Sequence, residues 1–160
     1  MKFSKSLIAA AAIAVAGMAQ PVFADATLHV FLWDSGADTE MATGHKIGDG
    51  ASRAEDNMGV TPNIIDVPAG KVTFKVLNVS TDTIHEMVVS KLSGPDGTLP
   101  FNADINRVDE DAAGSLGEVS ELDPGASGEL TINMEPGTYA LYCNIPGHYA
   151  DGMWDVITVE

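Results

Sequence analysis

Short runs of β-forming residues, each closed by turn residues, constrain this chain more than any other feature. Seven stand out: Leu28–Trp33, Asn63–Val67, Lys71–Val79, Ile84–Lys91, Gly128–Met134, Thr138–Cys143 and Trp154–Glu160. In the third, Val72, Phe74, Val76 and Asn78 alternate with Thr73, Lys75, Leu77 and Val79, the period-two pattern of a strand with one face buried. Glu118–Leu122 is a weaker eighth run, and Arg107–Ala113 has room for a turn or two of helix. Runs this short, separated by Pro-Gly or Asp-Gly punctuation, predict an all-β chain folded as an antiparallel β-sandwich of seven or eight strands. Asp34–Thr61 does not fit: it is rich in Gly, Ala, Asp and Ser, has no period, and is expected to form one long loop.

The first 24 residues have the three parts of a secretory signal. Lys2 and Lys5 give a positive start, Leu7–Ala16 is apolar, and Val22-Phe23-Ala24 has the small-residue pattern of a cleavage site. The apolar run is shorter than the roughly 18 residues that a membrane span needs. Export to the periplasm, cleavage after about Ala24 and one mature domain over residues 25–160 are therefore expected. Loss of both leader lysines takes the formal charge from −15 to −17. That charge excludes nucleic acid as a partner, because phosphate backbones are bound by clustered Lys and Arg. It suits steering of a basic protein partner, and equally it keeps the chain soluble. Cys143 is the sole cysteine, so no disulfide framework holds the domain together. A single thiol in an oxidising compartment is buried, paired between chains, or held by a metal.

Cys143 opens the stretch CNIPGHYADGM, with His148 five positions on and Met153 five positions after that. The expected strands on either side end at Cys143 and begin at Trp154, so Pro146, Gly147 and Gly152 lie in one connecting loop. Its length lets a thiolate, an imidazole and a thioether converge. Thiolate and thioether are soft donors and imidazole suits copper and zinc; two histidines, one cysteine and a weak axial methionine are the arrangement expected of a blue-copper electron-transfer centre. The second histidine must come from elsewhere. His85 suits that position, at a strand start after the polar turn Ser80–Thr83, whereas His29 lies within a strand and reads as structural.

The segments VLNVSTDTIHEMVV and GTYALYCNIPGHYADGMWDVITV resemble those of the cupredoxins, the plastocyanin and azurin superfamily of small type 1 copper proteins. The likeness covers roughly Asn63–Glu160, with Leu28–Trp33 as the first strand, and the Cys-x4-His-x4-Met spacing is similar to that of rusticyanin and auracyanin. The resemblance implies a Greek-key sandwich binding one copper ion per chain. It implies His85, Cys143 and His148 as equatorial ligands and Met153 as the axial one. It further implies a monomer passing single electrons through the edge of His148, bordered by Ile145, Pro146 and Tyr149, to a redox partner such as a basic cytochrome or an oxidase. The long Asp34–Thr61 stretch and Glu86 directly after His85 depart from the plastocyanin pattern. An enzyme is not expected: Tyr142 and Asn144 flank the cysteine where multicopper oxidases place histidines, and the chain has no His-x-His pair. Copper sequestration, delivery or resistance is the alternative function, with Met41, His45, Met58 and Met87 as candidates for a second soft site.

Overall fold

The structure is a computed structural model that describes residues 24–36, 44–50 and 56–160. The expected leader up to residue 23, Met41 and parts of the expected long loop lie outside the described residues. Among the described residues, no helix is long and apolar enough to cross a membrane.

Two sheets face each other. The first has the order β2-β1-β4-β9, from Met58–Pro62 (β2), Ala26–Asp34 (β1), Gly70–Asn78 (β4) and Ser127–Met134 (β9). The second has the order β3-β11-β10-β5-β8, from Asp66–Val67 (β3), Trp154–Val159 (β11), Gly137–Tyr142 (β10), His85–Leu92 (β5) and Ser115–Leu122 (β8). A small hairpin joins Phe101–Asn102 (β6) to Arg107–Val108 (β7), and one helical turn, Glu110–Ala113 (α1), follows.

The alternation in β4 is realised as read: Val72, Phe74, Val76 and Asn78 are buried while Lys71 and Lys75 are exposed. Leu28, Val30 and Leu32 of β1 fill the same layer between the sheets, against Met87, Val89, Leu141 and Ile157 from the second sheet. Burying each of these large side chains stabilises the fold by roughly 1.5–3 kcal/mol. A second apolar cluster covers the outer face of the second sheet, where Val88, Leu92, Ala140, Tyr142 and Tyr149 pack with Ile47, Leu99 and Val108. Apolar layers on both sides explain why His85–Ser90 are all buried, with no alternation of burial along that stretch of β5.

The sandwich is mixed rather than purely antiparallel. β1 pairs with β4 in parallel, Ala26 opposite Val72 through Leu32 opposite Asn78, and β11 pairs in parallel with β3. Met58–Pro62, most of which falls at the end of the expected loop, forms β2 on the edge of the first sheet, antiparallel to β1. α1 lies inside the range expected for a turn or two of helix. It is capped by the Asp109 carboxylate on the Ala112 amide and closed by Gly114 in the left-handed conformation at φ 62°.

Candidate metal centre

His85 is delivered by a turn that Asn78 holds. This side chain, fully buried at the end of β4, donates from Nδ2 to the carbonyls of Thr83 and Leu122, both at 2.8 Å, and accepts from the Ser80 amide at 3.0 Å. The Ser80 hydroxyl in turn accepts from the amides of Asp82 and Thr83. The chain therefore leaves the first sheet and enters β5 at one fixed place, with His85 as its first residue. β8 opposes His85 with Leu122 and Met87 with Val119, so it carries one extra residue there, with Glu121 at φ 33°. Such a bulge bends the ladder locally and re-aims the neighbouring side chain.

The other three candidates lie on a loop that closes on itself. The Cys143 amide donates to the Met153 carbonyl at 3.0 Å, and the Met153 amide donates to the His148 carbonyl at 3.0 Å. His148 and Asp151 donate back to Ile145 and Gly147, and a single 3-10 turn runs over Tyr149–Asp151. Gly147 and Gly152 both sit at φ 93°, where a side chain would be strained. Tyr149 faces away from the cage into the outer apolar cluster, against Tyr142 and Phe101.

These elements bring three donors to one point. The ligand atoms of His85, Cys143 and His148 lie within 4.8 Å of one another. His148 Nδ1 stands 3.3 Å from Cys143 Sγ and 3.3 Å from His85 Nδ1. All three residues are buried, and so is Met153, whose side chain shares the main core with Cys143. Burial dominates their protonation. It lowers His148 to about 4, with the neighbouring His85 charge adding to the effect, and pushes the Cys143 thiol up to about 12. His85 is also lowered by burial, against the opposing pull of Asp34. Two neutral imidazoles and a buried thiol, crowded at distances that a shared ion would bridge, form a donor set that fits a soft cation. The cation would supply the charge that stabilises the thiolate.

A second layer of polar contacts surrounds the donors. Asp34 Oδ2 accepts from His85 Nε2 at 2.6 Å. Glu86 is buried, accepts from the Asn144 amide at 3.1 Å and lies 3.7 Å from the Arg107 guanidinium. Asn144 is saturated. Its side chain donates to the Val108 carbonyl and to Glu110, accepts from the Val108 amide, and its carbonyl accepts from Arg107 Nε. The residues that follow His85 and Cys143 are thereby tied to each other and to β7.

Residues 49–160 match the sequence model of a family described as copper binding proteins, plastocyanin/azurin family. The chain belongs to that family. No curated protein matches it in a sequence comparison. Among solved structures it is similar to reduced rusticyanin, at 21% identity and a TM-score of 0.51 over 84% of this chain and 79% of that one. It is likewise similar to rusticyanin from Thiobacillus ferrooxidans, at 20% identity and a TM-score of 0.52 over 84% and 77%. A reduced auracyanin from Roseiflexus castenholzii aligns at 19% identity and a TM-score of 0.47 over 85% and 96%. The sandwich is thus a cupredoxin fold, and the His-Cys-His cluster of this family member fits one type 1 copper per chain.

The remaining sequence candidates are occupied otherwise. His45 is paired with the Asp56 carboxylate. Met58 and Met87 are packed in the main core, and His29 is exposed on the outer face of β1. Among the described residues, His85, Cys143 and His148 form the one group of His, Cys, Asp and Glu side chains arranged to hold a metal. Sequence reasoning marked Glu86 only as a departure and missed Asp34 as a partner of the site. Its position, 51 residues before His85 at the end of β1, carries no local signal.

Proposed function

We propose that the protein is an exported, periplasmic type 1 copper protein that carries single electrons between redox partners, with His85, Cys143 and His148 as equatorial ligands and Met153 as the axial one. The observation that carries this reading is the buried, closely packed His-Cys-His cluster on a family member whose ligand loop is closed by its own backbone bonds. When bound, copper supplies a one-electron couple between its cupric and cuprous states. The chain's part is to keep the donors fixed and dry. Strand ends hold His85 and Cys143, the loop bonds hold His148 and Met153, and the polar layer behind Asn144 resists rearrangement, so the same cage serves both oxidation states.

His148 is the one of the three clustered donors that reaches the surface, at 7% exposure. It opens into a recess lined by Ile84, Ile145 and Pro146, with Asp82, Arg107 and Glu121 around it. A partner docking there comes within reach of the imidazole edge, and the acidic chain favours a basic partner such as a cytochrome or an oxidase. The role proposed is a carrier's rather than an enzyme's, in keeping with Tyr142 and Asn144 beside Cys143 where multicopper oxidases place histidines.

Storage or delivery of copper has less support. Among the described residues, Met58 and Met87 are packed in the core and His45 pairs with Asp56, so these three do not come together as a second soft site. Copper counting with visible spectroscopy separates the two. A carrier holds one copper per chain and shows an intense thiolate-to-copper band that bleaches reversibly on reduction. More than one tightly held copper, or binding that survives Cys143→Ala, points to storage.

A further inference from the structure

Asp34 has no part in the ligand set, yet it is among the most constrained side chains near it. It is the last residue of β1, and its carboxylate is 4% exposed. Oδ2 accepts from His85 Nε2 at 2.6 Å, Oδ1 accepts from the Gly36 amide at 2.8 Å, and the Ser80 side chain supplies a further hydrogen bond. Both oxygens of the carboxylate are thus engaged as acceptors, which suits its ionised form. Its partner is wholly buried and has one other ring nitrogen, Nδ1, which faces His148 Nδ1 inside the cage. A neutral imidazole that donates a hydrogen bond from its Nε2–H to a carboxylate has its Nδ1 lone pair bare, in the tautomer that a metal ligand bound through Nδ1 requires.

Resting on the copper reading above, we propose that Asp34 is a positioning residue. It fixes the tautomer and ring orientation of His85 and, as a buried anion beside one ligand, favours the more highly charged state of the bound metal. The sign follows from counting charge. A cupric ion, the Cys143 thiolate and the Asp34 carboxylate sum to zero, whereas the cuprous form leaves one buried negative charge. Low local dielectric magnifies that difference. A carboxylate behind the ring also makes the imidazole a stronger donor, which favours the cupric state again. Asp34 thus lowers the reduction potential of the site relative to the same cage without it.

The test compares wild type with Asp34→Asn, which removes the charge and retains one acceptor, and with Asp34→Ala, which removes both. In the copper-free protein, nitrogen-15 spectra should show His85 as a single Nε2–H tautomer with a slowly exchanging proton, lost to tautomer mixing or rapid exchange in Asp34→Ala. In the copper-loaded protein, removing an outer-shell partner typically changes metal affinity by roughly 10–100-fold. We expect the ratio of cupric to cuprous affinity to fall at least tenfold in Asp34→Ala, a rise in potential of about 59 mV, with Asp34→Asn rising in the same direction. A ratio within about threefold of wild type in both variants overturns the proposal, even if either variant is less stable, because a purely structural role would move stability alone. An unchanged tautomer in Asp34→Ala overturns it as well. Failure of wild type to take up copper would instead sink the copper reading, while the tautomer measurement still tests the contact.

Discussion

Replacing Asn78 with alanine should be among the most damaging single changes at the site end of the sandwich, although Asn78 touches no candidate ligand. Three hydrogen bonds go at once. The Thr83 carbonyl is only partly buried and regains water, so that loss costs about 1 kcal/mol. The Leu122 carbonyl and the Ser80 amide are left without partners in a buried setting, at about 1–3 kcal/mol each. The total is roughly 3–7 kcal/mol, a large share of the 5–15 kcal/mol typical of a whole domain. Urea unfolding of the metal-free protein measures it directly, as a lower midpoint at unchanged slope. Asn78→Asp sharpens the test. It keeps an acceptor for Ser80 but turns a carboxylate oxygen toward two carbonyls, so it should be no more stable than the alanine variant. A loss below about 1 kcal/mol for Asn78→Ala, or a stable aspartate variant, would refute the claim that this side chain holds the turn before His85.

Cys143→Ser should abolish the thiolate-to-copper colour while far-ultraviolet circular dichroism stays that of a β-sandwich, since both apolar clusters remain; unfolding would mean that metal binding holds the fold together. Met153→Leu conserves volume in the core and should retain copper at a raised potential, read by redox titration, with loss of copper contradicting an axial role. Gly128→Ala places a Cβ 2.3 Å from Val119 Cγ1 between β9 and β8, and calorimetry should show a loss of roughly 1–3 kcal/mol. Glu86→Gln retains an acceptor for the Asn144 amide and removes a carboxyl whose pKa burial has raised, so it should unfold within about 1 kcal/mol of wild type. Glu86→Ala strands that amide and should cost about 1–3 kcal/mol in the same assay.

The sequence features that proved legible are the local ones. The β4 alternation appears directly as burial, and the Cys143–Met153 segment had to be a loop because strands adjoin it on both sides. Strand direction was not legible: side-chain period two is the same whether β1 runs parallel or antiparallel to β4. β2 was missed because MGVTP carries Gly and Pro and shows no alternation; its strand character comes from pairing with β1. The His85, Cys143 and His148 cluster followed from donor chemistry, whereas the Asp34 contact and the Glu86–Asn144–Arg107 network depend on approaches between segments far apart in sequence.

The closure of the Cys143–Met153 loop by its own amides, with Tyr149 anchored in the outer cluster, bears on how such a protein is made. A loop braced by its own main-chain hydrogen bonds and by aromatic packing draws its shape from contacts other than metal bonds. In the exported copper protein proposed above, the chain would then collapse first and be loaded afterwards, so that assembly at the destination need not wait on copper.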